Sequence, residues 1–139
     1  MRRSPALVRT MPFLLGWAIS LWLPAINVGM WGATPMLSGW ALLLNGYHAL
    51  PAYQFGWLAN VALFGVLAGL SSWGMGRRWL IGWSALLLLT TLQAFDLFLR
   101  PAFWAFKGTG PGFWLWTISN LGAAATGFMV AARQGKLPR

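Results

Sequence analysis

Side chains able to do acid–base chemistry are few in this sequence: one carboxylate, Asp96, one imidazole, His48, and no cysteine. General acid–base catalysis usually sets two titrating groups against each other, and covalent catalysis needs a nucleophile beside a base. His48 and Asp96 stand on different segments, so they are a thin basis for a reaction and no catalytic residue is assigned. An intramembrane enzyme built on that dyad ranks behind the readings below. A metal site needs more ligands than His48 alone supplies, and the missing thiols exclude disulfides and thiolate sites, so neither metal nor cofactor is expected. The loop 107–112, Lys-Gly-Thr-Gly-Pro-Gly, lacks phosphate-loop spacing and reads as a turn.

Asp96 does have polar neighbours in sequence. Thr90, Gln93, Asp96 and Arg100 are spaced by three, three and four, which puts them on one face of a helix. Two roles are open to the carboxylate. One is an i,i+4 ion pair with Arg100 at the end of a helix stopped by Pro101; the other is an ionisable group that carries a proton or binds a cation. Placed by depth, His48, Asn60, Gln93, Asp96, Arg100 and Asn120 all fall toward the outer side, and together they are expected to form an outer polar pocket.

Depth presupposes a membrane, and the composition demands one. Hydrophobic residues make up 58% of the 139 and charged residues only 8%, whereas a soluble domain covers itself with about 25% charge. Ten Lys or Arg against one acid give +9. No charged residue occurs between Arg9 and Arg77, so the basic residues punctuate apolar runs instead of forming a nucleic-acid surface.

A helix needs about 20 apolar residues to span the hydrocarbon core. Four segments qualify: about 12–28, 53–73, 79–99 and 113–132. The first follows Arg2, Arg3 and Arg9 but lacks a small-residue cleavage site, so it reads as an uncleaved helix. The apolar run 37–50 is too short to cross and reads as an interfacial or re-entrant outer helix over about 38–50. With four crossings, Arg2, Arg3, Arg9, Arg77, Arg78, Arg133, Lys136 and Arg139 lie inside, and only Arg100 and Lys107 lie outside. The expectation is an all-α membrane protein, a single domain over 1–139 with four transmembrane helices, a short outer helix between the first and second, and both termini cytoplasmic.

Within such a bundle, Gly65, Gly69, Gly122 and Gly127 are the expected close-packing positions, serving either the bundle itself or a homo-oligomer or partner face. Tryptophans at 17, 31, 57, 73, 79, 104, 114 and 116 sit near the ends of the four segments and read as interfacial anchors.

Leu23-Pro24-Ala25, then Gly39-Trp40-Ala41-Leu42-Leu43-Leu44-Asn45-Gly46, then Phe55-Gly56-Trp57-Leu58-Ala59-Asn60 resemble a pattern in uncharacterised small bacterial polytopic inner-membrane proteins. The resemblance covers the first half of the chain. It implies a bacterial inner membrane and a short outer helix, and it brings no chemistry. The leading functional expectation is a non-catalytic membrane protein that acts by binding, as an accessory subunit or an immunity-type protein, with the lipid bilayer and a membrane-protein partner or a second copy as its contacts and no nucleic acid. The competing expectation is a small oligomeric transporter or channel with an outward-facing site around Asp96.

Overall fold

The computed structural model describes residues 5–29, 35–71, 76–101 and 105–134. Arg2, Arg3, Lys136 and Arg139, and the tryptophans at 31, 73 and 104, lie outside the described residues.

The first helix, α1 (Pro5–Ser20), stops well short of the expected end at 28. Pro24 supplies the reason: its ring disfavours helical geometry at Leu23, and the chain turns over 21–23 into an extended strand, β1 (Pro24–Val28). β1 is the centre of a three-stranded antiparallel sheet, flanked by β2 (Met36–Ser38) and β3 (Phe106–Thr109). Ile26 stands opposite Leu37 on one side and Thr109 on the other.

From β2 the chain enters α2 (Gly39–Asn45), whose first turn is capped by Ser38 Oγ accepting from the Ala41 N–H at 3.2 Å. Here a glycine is required: a Cβ on Gly39 would run into the backbone of Ser20 and Leu21, where the Gly39 and Trp40 N–H groups donate to the Leu23 and Leu21 carbonyls. α2 passes into a 3-10 segment (Gly46–Ala52) containing Pro51. The remaining helices are α3 (Leu58–Leu70), α4 (Arg77–Gln93), the single turn α5 (Asp96–Leu99) and α6 (Pro111–Gln134).

α6 is the axis of the molecule, with α1 and α4 packed along it and α3 against α4. Ser84, midway along α4, meets Gly127 toward the end of α6, and Phe98 just beyond α4 meets Phe113 at the start of α6, so α4 and α6 are antiparallel. Leu80 and Leu87 of α4 share one buried cluster with Ala124 and Ala131 of α6. The glycines lie at the helix contacts. A Cβ would meet the Trp83 ring at Gly65, Leu80 and Trp79 at Gly69, the Phe13 ring at Gly122 and Ser84 Oγ at Gly127. With alanines at 59, 62, 123, 124 and 131 also buried, backbones approach closely enough for dispersion to hold the helices together.

The all-α expectation is therefore overturned by the antiparallel sheet, and the four-span expectation by helix length. At 1.5 Å per residue, the 16 residues of α1 and 13 of α3 reach only about 24 and 20 Å, against a hydrocarbon core of about 30 Å. Among the described residues, two helices are long and apolar enough to cross a membrane: Arg77–Leu99, which joins α4 and α5, and Pro111–Gln134. Hydropathy misled because the five residues Pro-Ala-Ile-Asn-Val continue the apolar run of α1, and a run that short carries no period by which strand and helix differ.

Candidate binding cavity

Where the sheet and the α2/3-10 segment lie over the ends of the helices, they border a half-open cavity of about 240 Å³. Its walls come from the end of α1, β1, α2, the loop before α3, the α4–α5 junction and the first turns of α6. No charged side chain lines it. The polar side chains that do are Ser20, Gln54 and Asn60.

Two of these three are committed. Ser20 Oγ donates to the Trp17 carbonyl at 2.6 Å, one turn back in α1. Asn60, 7% exposed, is a node between three helices. Its Oδ1 accepts from the indole N–H of Trp17 at 2.9 Å and of Trp116 at 3.0 Å, and its amide nitrogen donates to the Trp57 carbonyl at 3.1 Å. Two donors fill both lone pairs of the oxygen, so Asn60 stitches α1 and α6 to the start of α3.

Gln54 is different. It is 8% exposed, and its Oε1 accepts from the Gly56 N–H at 2.9 Å while its Nε2 has no partner. The Gly56 N–H needs an acceptor, which fixes the orientation of the amide and leaves the NH₂ group as a buried donor.

The six residues expected in an outer polar pocket are dispersed. Of them, only Asn60 lines the cavity. Gln93 clamps its rim: Oε1 accepts from the Phe55 N–H at 2.7 Å and Nε2 donates to the Tyr53 carbonyl at 2.9 Å. Asp96 and Arg100 form an ion pair one helical turn apart, with Arg100 Nε 2.8 Å from Oδ1. The hydrogen bond that Arg100 donates to the Asp96 carboxylate raises the Arg100 pKa above its ordinary value. His48 is exposed on the 3-10 segment with its ring 4.0 Å from that of Tyr47. Asn120 is fully buried on α6, and neither of its amide atoms has a partner; Ser84 Oγ and Thr91 Oγ1 on α4 are buried in the same condition. Among the described residues, no three His, Asp or Glu side chains gather into a metal site.

Several tryptophan N–H groups are tied to other parts of the fold. Besides the two on Asn60, Trp57 donates to the Leu43 carbonyl at 2.7 Å, Trp79 to the Gly65 carbonyl at 3.1 Å and Trp114 to Thr109 Oγ1 at 3.1 Å. The Trp57 bond ties α2 to the loop entering α3, across one wall of the cavity. Sequence reasoning placed Asn60 on the outer side but missed its indole partners, because the three contributing helices are brought together only by the tertiary fold. Gln54 carried no signal beyond being an amide next to an apolar run.

Fold and site together define a helical bundle capped at one end by a small antiparallel sheet, with an apolar, uncharged cavity under the cap. Comparison with protein-family models, curated proteins and solved structures finds no match to the chain.

Proposed function

We propose that this chain is an integral protein of the bacterial inner membrane that acts by binding, as an accessory or immunity-type partner of another membrane protein, and not by catalysis. The observation that carries the reading is the commitment of its few reactive groups. Asp96 is spent on Arg100, His48 is exposed, and the cavity under the cap is apolar and uncharged. A transport path along Thr90, Gln93 and Asp96 finds little support, since Thr90 Oγ1 donates to the Leu86 carbonyl and the other two are tied as described.

The orientation follows from charge. Arg77 and Arg78 open α4 and Arg133 lies in the last turn of α6, and the antiparallel register gathers these three at the end of the bundle opposite the cap. By the excess of basic residues on cytoplasmic faces, that end is cytoplasmic, the termini are on the same side, and the cap faces outward. Outside the cap, Trp22, 81% exposed, stacks on Trp40, giving an aromatic surface that a partner can cover.

Because the chain has no cysteine, single-cysteine labelling is free of background. A cysteine at Gln134 is expected to react only after the inner membrane is permeabilised, and one at Lys107 to react in intact spheroplasts; the reverse pattern overturns the orientation. Crosslinking from Trp22→Cys in intact membranes, followed by mild detergent extraction, is expected to yield a defined heavier species. A chain that remains solitary at native expression overturns the partner reading.

A further inference from the structure

The guanidinium groups at the end of the bundle away from the cap have no acidic side chain to balance them. Asp96 is the only acid in the sequence, and it is paired with Arg100 beyond the other end of α4. Arg77 and Arg78, exposed at the start of α4, stand level with Arg133, exposed in the last turn of α6. Counted from the Ser84–Gly127 contact, Arg77 is seven residues along one helix and Arg133 six along the other, about 10 and 9 Å at the rise of an α-helix. α1 also runs antiparallel to α6, with Phe13 against Gly122 and Gly16 against Ser119, so the exposed Arg9 adds a fourth charge in the same half.

We propose that this end binds an anionic phospholipid, whose phosphodiester is held by Arg77, Arg78 and Arg133 and whose acyl chain lies along the exposed face of α4. The inference rests on the membrane reading given above but needs no protein partner. The headgroup follows from charge. A guanidinium presents a planar fork of donors that fits two phosphate oxygens, and every basic side chain at this end of the described helices is an arginine. The chain follows from the face that continues inward. Arg78, Gly82, Leu86 and Leu89 are spaced by four, four and three, so they share one face of α4, and all four are exposed. At Gly82 a Cβ would meet nothing within 4 Å, which leaves a notch one turn in from Arg78; beyond it Leu86 and Leu89 offer apolar surface, the latter 64% exposed. Trp79 flanks the arginines with its indole N–H tied to the Gly65 carbonyl at 3.1 Å, an aromatic at the depth where a headgroup meets its chains. Charge followed by an apolar stripe is the order of parts in a phospholipid. A soluble phosphodiester or an acidic protein segment would balance the arginines but leave the stripe unused.

The test offers the full chain in mild detergent equal amounts of dioleoylphosphatidylglycerol and dioleoylphosphatidylcholine, which share chains and differ in net charge, and counts retained lipid by native mass spectrometry. Phosphatidylglycerol is expected to be preferred about thirtyfold, about threefold for each guanidinium. Arg78→Gln is expected to lower the preference about threefold, and Lys107→Gln, the same charge loss near the cap, to leave it unchanged. The combined Arg77→Gln, Arg78→Gln and Arg133→Gln variant is expected to retain the two lipids equally. A ratio near one in the unmodified chain, a preference that survives the combined variant, or an equal loss from Lys107→Gln overturns the proposal. Glycerophosphoglycerol, the same headgroup without chains, and a short polyglutamate peptide are expected not to displace the lipid at equal concentration; displacement by either assigns the arginines to a soluble anion or an acidic protein segment and overturns the lipid assignment. Should the combined variant fail to fold by circular dichroism, the unmodified chain decides: phosphatidylglycerol, and not phosphatidylcholine, is expected to protect Arg77, Arg78 and Arg133 from phenylglyoxal, and equal reactivity in both lipids overturns the site. Equal retention of both lipids overturns this inference alone, whereas a chain that stays in solution without detergent and retains neither overturns the membrane reading with it.

Discussion

Asn60 and Asn120 are the same residue at nearly the same burial, 7% and 0% exposed, yet they live in opposite circumstances. Asn60 sits where three helices meet and uses both ends of its amide on tryptophans. Asn120 lies in the middle of α6, the helix that α1, α3 and α4 all pack against, and uses neither end. The α4–α6 contact is held by shape, through Gly127 against Ser84 and alanines clustered with leucines; the node under the cap is held by directed hydrogen bonds. A buried amide is thus a fastening in one place and a burden in the other, and burial alone does not say which.

That contrast can be broken by substitution, with stability read by unfolding in SDS-titrated mixed micelles. The largest effect is expected from Asn60→Leu, which removes three hydrogen bonds and strands two indole donors; at about 1 kcal/mol for each bond the loss is roughly 2–4 kcal/mol. A cost below about 1 kcal/mol would show that the indoles find other partners. Next, Gly127→Ala pushes a methyl into Ser84 Oγ and is expected to cost about 1–3 kcal/mol by overpacking, partly recovered when Ser84→Gly is added. Absence of recovery in that double variant would mean the α4–α6 contact yields elsewhere. Gln93→Leu releases the Tyr53 and Phe55 backbone groups at the cavity rim and is expected to cost about 1–2 kcal/mol, with faster amide exchange at Phe55. Asp96→Asn weakens a surface ion pair and is expected to change stability by less than about 1 kcal/mol. The smallest effect, about zero or slightly stabilising, is expected from Asn120→Leu, since it discards an amide that is satisfied by nothing; a large loss there would erase the distinction between the two asparagines.

The comparison also marks what could be read before the structure. Small residues at 65, 69, 122 and 127 could be picked out because close helix approach has a chemical requirement that one residue type meets. The Asp96–Arg100 pair was readable as one of two options because both partners lie one turn apart in the same helix. The cap was not. β1 draws its partners from 36–38 and 106–109, and nothing in Met-Leu-Ser or Phe-Lys-Gly-Thr marks either as the complement of Pro-Ala-Ile-Asn-Val. Leu23-Pro24 did contain the stop that ends α1, but it was outweighed by the hydropathy of the flanking residues. Asn60 could be placed by depth as an outer polar group, but its role as an acceptor for Trp17 and Trp116 depends on neighbours 43 and 56 residues away. Such meetings are set by packing, and a local pattern has no access to them.

The pairing of β1 with β3 also orders events during synthesis. Its two halves are far apart in sequence, Asn27 pairing with Gly108, and the wall of the cavity that includes Phe113 and Trp116 belongs to α6, the last of the described helices. A ribosome that has delivered α1 through α4 has produced a bundle whose Asn60 still lacks one indole and whose central strand still lacks one edge. Closure of the cap is therefore a late, long-range step, slow in the way that distant strand pairing is slow. The walls of the pocket are complete only at that moment, so the pocket is finished by the same act that completes the fold.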